Sequence, residues 1–374
     1  MERIFLFPYF IVFAFVLCFG YLYYRTNKMI YIKTIFIILF LFVACRGNGS
    51  GDYFTYLEYS DQIRSIGDVL NYNFPMEIGF RLISYIKNLI NAPDQFVIIV
   101  MAAISVGATY FMIVKTSNHM LLSVFIFLPI MLQFDMHATR SGVAASLGLI
   151  AMYHFKNKNW KQFILFMIMT ISFHRSSLVI LCIPTYYFIR EKCYLTIRKE
   201  VKIQILLIII AILPLFSIVF QVLPLLNIDN VLFQKLENYL FFSRFSYPIK
   251  LYDPRIILSF AIFLSSALVY YKTKKEDLHY VNVFSFFGLL FMLLFKDSTF
   301  LSLRLSSFFD RGSIYYVPVL IDQFDKCIKN SPLKNYNLIR IFFKYKYVLA
   351  SLIYIVLYSA LVFITCVPYY FFVS

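Results

Sequence analysis

The sequence contains few charged residues. Asp, Glu, Lys and Arg make up 14% of its 374 residues, whereas 61% are hydrophobic. Soluble domains average about 25% charged and 45–50% apolar residues. The mean hydropathy of +0.75 points the same way. A soluble globular protein is therefore excluded, and the many apolar runs of about 20 residues predict membrane-spanning helices.

Familiar catalytic patterns are also missing. The sequence has no GxSxG, HExxH or Walker A motif, no DxD-like motif, and no CxxC pair among its six cysteines. These absences argue against a nucleotide-sugar glycosyltransferase, an ATP-driven pump and a zinc site. The sequence therefore predicts neither a metal nor a diffusible cofactor.

The apolar runs predict an all-α polytopic membrane protein with a single membrane domain over residues 1–374. About twelve spans are expected, within a range of ten to thirteen. They cover 4–24, 29–45, 95–114, 119–134, 138–155, 160–173, 176–189, 203–224, 256–271, 280–295, 312–325 and 347–370. The sixth and seventh are short, and we expect them to be tilted, re-entrant or broken at His174.

The net charge of +16 is distributed unevenly between the predicted faces. One face carries 21 Lys and Arg with 6 Asp and Glu, and the other carries 14 with 13. The positive-inside rule makes the first face cytoplasmic and places both termini in the periplasm. The cytoplasmic segments are 25–33, 115, 156–161, 190–202, 272–277 and 322–346. Topology explains the surplus, so no nucleic acid partner is needed.

The predicted outer face favours arginine over lysine, by 10 to 4. Arginine is a planar donor fork suited to phosphate and carboxylate, so the bias indicates an anionic ligand. Alternatively, these arginines pair with the 13 outer carboxylates. Segments 46–94, 225–255 and 296–311 form the predicted active face. Within the first, Ile78, Leu82, Tyr85 and Leu89 follow helical spacing and predict an amphipathic helix near 76–91 on the outer membrane surface.

Two outer clusters lie in segment 46–94. CRGNGSGDYFTYLEY places Arg46, Asp52, Tyr53 and Tyr56 beside a glycine-rich turn whose amides could bind an anion. Asp and Tyr side chains there could hold sugar hydroxyls, although the segment could also be an ordinary helix exit. Glu77 begins the amphipathic helix, where a carboxylate is also favourable for the helix dipole alone.

Two further clusters interrupt apolar sequence. His137 and Arg140 are three residues apart at the start of a helix rich in small residues, which predicts close helix packing around Arg140. His174 and Arg175 break a long apolar stretch, and we favour a functional role for His174 over a simple loop tip. Ionisable residues in such places are functional candidates. Later in the chain, Arg304 and Arg311 are seven apart, so that they share a face if helical.

Four of these segments resemble, in order and spacing, the EpsG-like branch of the Wzy-type O-antigen polymerase family. They are GDYFTYLEY, EIGF, TRSGVAASL and SFHRSSL, within about residues 45–190. The family's EPGY reads EIGF here, so its proline is absent. The later part of the chain is similar mainly in hydropathy and around Arg304.

The resemblance implies a polysaccharide polymerase of the bacterial inner membrane, as used for lipopolysaccharide. It would join polyprenyl-diphosphate-linked oligosaccharide repeat units on the periplasmic face, without a metal. Membrane lipid and a chain-length regulator are the other candidate partners. The alternatives are a flippase or exporter of lipid-linked saccharides, and another membrane transferase such as an O-antigen ligase or a sugar acyltransferase.

The expected reaction needs a base, cations and sugar contacts. We expect His174 to be the base, because imidazole titrates near neutral pH, with Glu77 and Asp52 as alternative catalytic groups. For the substrate diphosphate we expect Arg140 and Arg304 and, as weaker candidates, Arg46 and Arg311. The candidate sugar contacts, in addition to Asp52 and Glu77, are Tyr53, Tyr56, His137 and Arg175.

Overall fold

A computed structural model describes residues 7–47, 52–213, 247–329, 345–365 and 369. These residues form helices, and no β-strand occurs among them. The α-helices are α1 (Phe7–Thr26), α2 (Met29–Ala44), α3 (Tyr53–Asp61), α4 (Ile66–Leu70), α5 (Ile78–Leu89), α6 (Gln95–Thr116), α7 (Met120–Ile130), α8 (Thr139–Lys156), α9 (Trp160–Phe173), α10 (Cys182–Lys192), α11 (Ile197–Ile212), α12 (Pro254–Thr273), α13 (Glu276–Leu294), α14 (Thr299–Asp310), α15 (Ser313–Lys329) and α16 (Lys346–Thr365). A π-helix (Met131–His137) continues α7, and a 3₁₀-helix (Arg175–Leu181) precedes α10.

Several of these helices have the length and composition to cross a membrane. In the described ranges there are five: α1, α6, α7 with its π-helix, α12 and α13. The helices α2 and α9 and most of α16 are apolar but shorter. The prediction of an all-α polytopic membrane protein is therefore confirmed. The count of about twelve spans stays a prediction, since parts of the predicted spans 4–24, 203–224 and 347–370 lie outside the described residues.

Other sequence-based expectations also extend beyond the described residues. Most of the predicted outer segment 225–255 lies outside them, as do part of segment 322–346 and Gly49 and Gly51 of the glycine-rich turn. The helices α3, α4 and α14, by contrast, were not predicted. They are short, and in α4 and α14 the side chain of a serine caps the first turn, a signal that hydropathy does not reveal. Ser65, for example, begins α4 with a capping box to Asp68.

The π-helix Met131–His137 separates α7 from α8. It begins two residues after Pro129, which has no backbone N–H to donate and whose ring disfavours regular α-helical bonding. Single π-turns of this kind occur frequently at functional sites. Arg140 follows in the first turn of α8, so the irregular backbone lies directly beside a candidate residue.

The described residues form two compact units. The first unit is drawn from 1–177, 313–318 and 333–374. In it, α8 packs on α6 and α9, and α2 packs on α1 and α6. The predicted close packing of α8 is confirmed, because its small residues are buried and Ser146 lies 3.1 Å from Ser105 of α6, Oγ to Oγ.

The second unit is drawn from 178–312 and 319–332. Its helix α13 packs on α11, α12 and α14. Glu200 of α11 is fully buried there, and its Oε1 lies 2.5 Å from Nε2 of His279. The same carboxylate accepts hydrogen bonds from the hydroxyls of Tyr186 and Tyr270 and pairs with Arg190. That the chain forms a single membrane domain stays a prediction.

Candidate active site

Glu77 lies at the centre of the candidate site, between Arg140 and His174. It is the N-cap of α5, with an extended backbone, so that its side chain stands at the start of the helix. The oxygen Oε2 accepts a charge-assisted hydrogen bond from Nη1 of Arg140. The other oxygen, Oε1, lies 3.2 Å from Nδ1 of His174 and accepts a 3.4 Å hydrogen bond from the backbone N–H of Arg175. One carboxylate therefore joins the two residues that the sequence singled out most strongly.

Arg140 occupies the first turn of α8. A cation at a helix N-terminus is unfavourable for the helix dipole, and the carboxylate of Glu77 offsets this cost. The guanidinium also lies 5.7 Å from the ring centre of Tyr56, within cation–π range. Its Nε is buried and has no hydrogen-bond partner among the residues that the structure describes. The guanidinium as a whole remains partly exposed, so an anionic ligand could approach its outer nitrogen atoms.

His174 ends α9 and has an extended backbone. The break predicted between the two short helices is confirmed at this residue, since a 3₁₀-helix follows at once. The side chains of His174, Glu77 and Arg140 are 10%, 12% and 20% exposed. The cluster is thus mostly buried but not sealed, and its dry environment strengthens its electrostatic interactions.

The ionisation of Glu77 follows from these contacts. Burial alone would raise its pKa, because it disfavours the charged form. The hydrogen bond to His174 and the charge of Arg140 outweigh burial and lower the pKa of Glu77 to about 2. Glu77 is therefore an anion at neutral pH and a weak base. Its geometry suits it to orient His174 and to balance Arg140.

Tyr56 and Asp52 extend the cluster onto α3. The hydroxyl of Tyr56 donates a 3.2 Å hydrogen bond to Oδ2 of Asp52, and the Tyr56 ring is 1% exposed. Burial and the charge of Asp52 raise the pKa of Tyr56, so the hydroxyl keeps its proton. The structure therefore brings Asp52, Tyr56, Arg140, Glu77 and His174 together in one chain of contacts.

Arg46 and Tyr53 lie deeper in the protein than expected. Arg46 is 2% exposed, and its guanidinium donates to the carbonyls of Asp135 and Met136 and to the hydroxyl of Thr139. These bonds tie the end of α2 to the junction between the π-helix and α8. Tyr53 is 4% exposed, and its hydroxyl donates a 2.7 Å hydrogen bond to Gln95 of α6. Both side chains therefore stabilise the packing of the helices around the cluster.

Gly79 sets the approach of α5 to α9. A Cβ at this position would lie 2.8 Å from the backbone oxygen of Ser172, closer than real Cβ atoms come. Only glycine lets the first turn of α5 approach the last turn of α9 so closely. Because Glu77 and His174 flank this contact, Gly79 determines whether the carboxylate can reach the imidazole.

The amphipathic helix predicted near 76–91 corresponds to α5, with its apolar stripe outward. Ile78, Leu82 and Leu89 are 42–65% exposed, as expected for a face that meets lipid. Arg81 and Lys87, on the other side, are nearly fully buried. Arg81 lies one turn after Glu77 and donates a hydrogen bond to the backbone carbonyl of Asn71. It was not among the residues selected from the sequence. The outward stripe was the signal that Arg81 faces protein.

His137 is half-buried at the end of the π-helix, and the side chain of Arg175 is exposed beside Glu77. Arg304 and Arg311 belong to the second unit, where Arg304 lies in α14 over the ring of Phe300, and Arg311 directly follows that helix and is fully buried. Their role toward a diphosphate stays a prediction.

In the described part of the chain, no three His, Cys, Asp or Glu side chains converge on a possible metal position.

The chain matches a known protein family along most of its length. The model of the EpsG family matches residues 29–371, which is nearly the whole chain and includes every residue of the Glu77 cluster. No curated protein matches the chain, and no solved structure does.

Proposed function

We propose that the chain, which belongs to the EpsG family, is a polysaccharide polymerase acting on lipid-linked repeat units. Family membership supports a glycan-polymerase role in general terms, and the helices make the chain a multi-pass membrane protein. The more specific proposal is that the enzyme joins polyprenyl-diphosphate-linked oligosaccharides on the periplasmic face of the bacterial inner membrane.

The placement of Glu77 between Arg140 and His174 carries this proposal. Glycosyl transfer from a lipid diphosphate needs a base for the acceptor hydroxyl and a cation for the leaving diphosphate. His174 and Arg140 are such a pair, and they are bound to opposite oxygens of one carboxylate. A general base and an anion-binding group are thereby held at a fixed separation.

The base step follows from the His174–Glu77 contact. When Nδ1–H donates to Glu77, Nε2 is the basic nitrogen of the ring. The acceptor hydroxyl oxygen bonds to the anomeric carbon of the donor, and its proton passes to Nε2. The bond between that carbon and the diphosphate oxygen breaks at the same time. Glu77, anionic throughout, orients the imidazole and stabilises the imidazolium that forms.

The leaving diphosphate gains negative charge as this bond breaks. The guanidinium of Arg140 is partly exposed, and the exposed side chain of Arg175 follows His174 directly in the chain. Both can supply charge-assisted hydrogen bonds to the leaving group. Asp52 and Tyr56, at the other side of Arg140, are suited to hold sugar hydroxyls near the anomeric carbon.

The test uses the detergent-purified full chain and a lipid-linked repeat unit. In a micelle the two faces of the membrane are connected, so transport has no meaning and only bond formation yields longer product. We expect elongation by the wild type and a loss of about 100–10,000-fold for His174→Ala, the usual effect of removing a general base. The control is His154→Ala. His154 lies in the last turn of α8, and its ring stacks on Phe166 of α9.

Other outcomes would redirect the proposal. Binding of the repeat unit without any elongation would favour a flippase or exporter. Transfer of the glycan to a different acceptor lipid, or transfer of an acyl group, would identify a ligase or an acyltransferase. Full activity of His174→Ala would keep the polymerase but exclude His174 as its base.

A further inference from the structure

A groove runs between α2 and α6, on the apolar part of the first unit. Its volume is about 400 Å³, within the range of about 300–1,000 Å³ typical of small-molecule sites. It is lined by Lys33, Phe36, Ile37, Phe40, Ala103, Val106, Gly107 and Tyr110. Only Lys33 among these residues is charged. The groove is open to the outside along these two helices, so its occupant comes from the surrounding lipid.

Gly107 creates much of the space. A Cβ added there would meet no atom of the described residues within 4 Å. The glycine therefore does not serve close packing between these helices. Ala103, one turn earlier, is also exposed, so small residues line the α6 side of the groove at both positions. The α2 wall is formed by large apolar side chains such as Phe36 and Phe40, which suits an extended hydrocarbon chain.

Lys33 supplies a cation at one end of this apolar channel. Its side chain is exposed, and the hydrogen bonds and ion pairs formed by the described residues do not include it. It lies four residues, or about 6 Å, after the start of α2. Lysine at such a position extends its ammonium toward the membrane surface while its methylene stem stays in the apolar region.

We propose that this groove binds one anionic phospholipid. Its phosphate pairs with the ammonium of Lys33, and one acyl chain lies along Phe36 and Phe40 over Gly107. From Lys33 to Phe40 the groove follows α2 for about 10 Å, so the chain runs from the headgroup region into the hydrocarbon core. Basic pockets between spanning helices are known to recognise anionic lipid headgroups in this way.

The position of Lys33 distinguishes this lipid from the lipid-linked substrate of the proposed reaction. Lys33 precedes Ala44 by eleven residues, or about 16 Å along α2. The Ala44 end is the one that contacts Gln95 and leads to Arg46, beside the Glu77 cluster. A phosphate at Lys33 is therefore at the opposite end of α2 from the proposed reaction. The inference stands whether or not the chain is a polymerase.

The experiment measures lipid retention on the detergent-purified full chain by native mass spectrometry. Phosphatidylglycerol and phosphatidylcholine with the same acyl chains are titrated separately. Lys33→Gln removes the cation, and Gly107→Leu fills the groove where the backbone has room. The matched controls are Lys28→Gln, an exposed lysine directly before α2, and Ala14→Leu on the exposed face of α1.

We expect wild type to prefer phosphatidylglycerol to phosphatidylcholine. Lys33→Gln should bind phosphatidylglycerol about fivefold more weakly, because this is the affinity that one lysine near an anionic lipid contributes. Gly107→Leu should weaken both lipids, and the controls should match wild type. Equal retention by wild type and Lys33→Gln would overturn the proposal, as would an equal effect of Lys28→Gln. Displacement of phosphatidylglycerol by an equimolar polyprenyl diphosphate would also overturn it, by assigning the groove to substrate. Lys33→Gln keeps the test decisive if Gly107→Leu does not purify as a monodisperse protein.

Discussion

Nδ1 of His174 lies 3.2 Å from Oε1 of Glu77, although 97 residues separate them in the chain. The contact joins the end of α9 to the start of α5, while Arg140 binds the other carboxylate oxygen from α8. Three helices thus meet at one carboxylate. A change at Glu77 should therefore affect stability and catalysis together, whereas changes at its partners can separate the two effects.

The first prediction concerns the pH dependence of stability. The pKa of Glu77 is lowered from an ordinary value of 4.5 to about 2, so its ionised form stabilises the fold. This stabilisation is complete above about pH 4.5 and is lost as the pH falls toward 2. The difference corresponds to about 3 kcal/mol. Thermal unfolding of wild type and Glu77→Gln in detergent should show a constant gap above pH 5 that narrows below pH 4. Parallel pH profiles would show that the carboxylate charge contributes no stability.

The second prediction separates charge from geometry at Arg140. Arg140→Lys keeps the cation but cannot bind Glu77 and still present a second donor in the same plane. Loss of one charge-assisted contact to a developing anion usually costs about 100–1,000-fold in rate. Chain elongation should fall by this amount at equal expression. Arg64→Lys, an exposed arginine between α3 and α4, should remain at the wild-type rate. Near-normal elongation by Arg140→Lys would limit Arg140 to a structural role.

The third prediction tests the close approach at Gly79. Gly79→Ala places a Cβ against the backbone of Ser172, so α5 must move away from the end of α9. Glu77 then loses its reach to His174, and we expect lower thermal stability and a loss of elongation. Gly67→Ala is the matched control, because its Cβ would meet only Ser65 Oγ, at 3.4 Å, an ordinary contact. Wild-type behaviour of Gly79→Ala would show that the helix contact adapts without moving Glu77.

Much of the fold could be predicted from the sequence because apolar runs and spanning helices have the same physical origin. The break at His174 and the tight packing of α8 were also legible, as two polar residues in an apolar stretch and as small residues at helical spacing. The short helix α4 was not, since it depends on a capping box rather than on hydropathy.

The candidate site was predictable as a set of residues but not as an arrangement. Glu77 and His174 were selected separately, and nothing in their spacing shows that they touch. Arg46 was expected to face a ligand, whereas its donors are directed to the backbone at the end of the π-helix. A guanidinium looks the same in sequence whether it binds a phosphate or buried carbonyls, and only tertiary contacts distinguish the two.

The fourth prediction concerns orientation. A reporter fused after Lys199 or Lys275 should be cytoplasmic, and one fused within 247–253 should be periplasmic. The reason is the charge split, with net charges of +15 and +1 on the two predicted faces. Accessibility of single cysteines to a membrane-impermeant thiol reagent provides an independent measurement. Finding both sets of positions on one side would exclude the predicted topology and its assignment of the Glu77 cluster to the periplasm.

The last prediction concerns the buried polar cluster of the second unit. Arg190 binds two carboxylates, the fully buried Glu200 and the 70% exposed Glu276. Glu200 also contacts His279 and two tyrosine hydroxyls. Several partners therefore stabilise its carboxylate in a buried environment. Removing one partner of a buried ion pair typically costs about 3–5 kcal/mol, whereas an exposed pair contributes at most about 1 kcal/mol.

Glu200→Gln and Glu276→Gln therefore form a matched pair, because each removes one carboxylate from the same arginine. We expect a large drop in the thermal midpoint of the purified protein for Glu200→Gln and little change for Glu276→Gln. Both variants keep the volume of the side chain, so a difference between them reports the buried carboxylate, its charge together with its second accepting oxygen. Equal midpoints would mean that His279 and the tyrosines hold this end of the second unit together without the carboxylate charge.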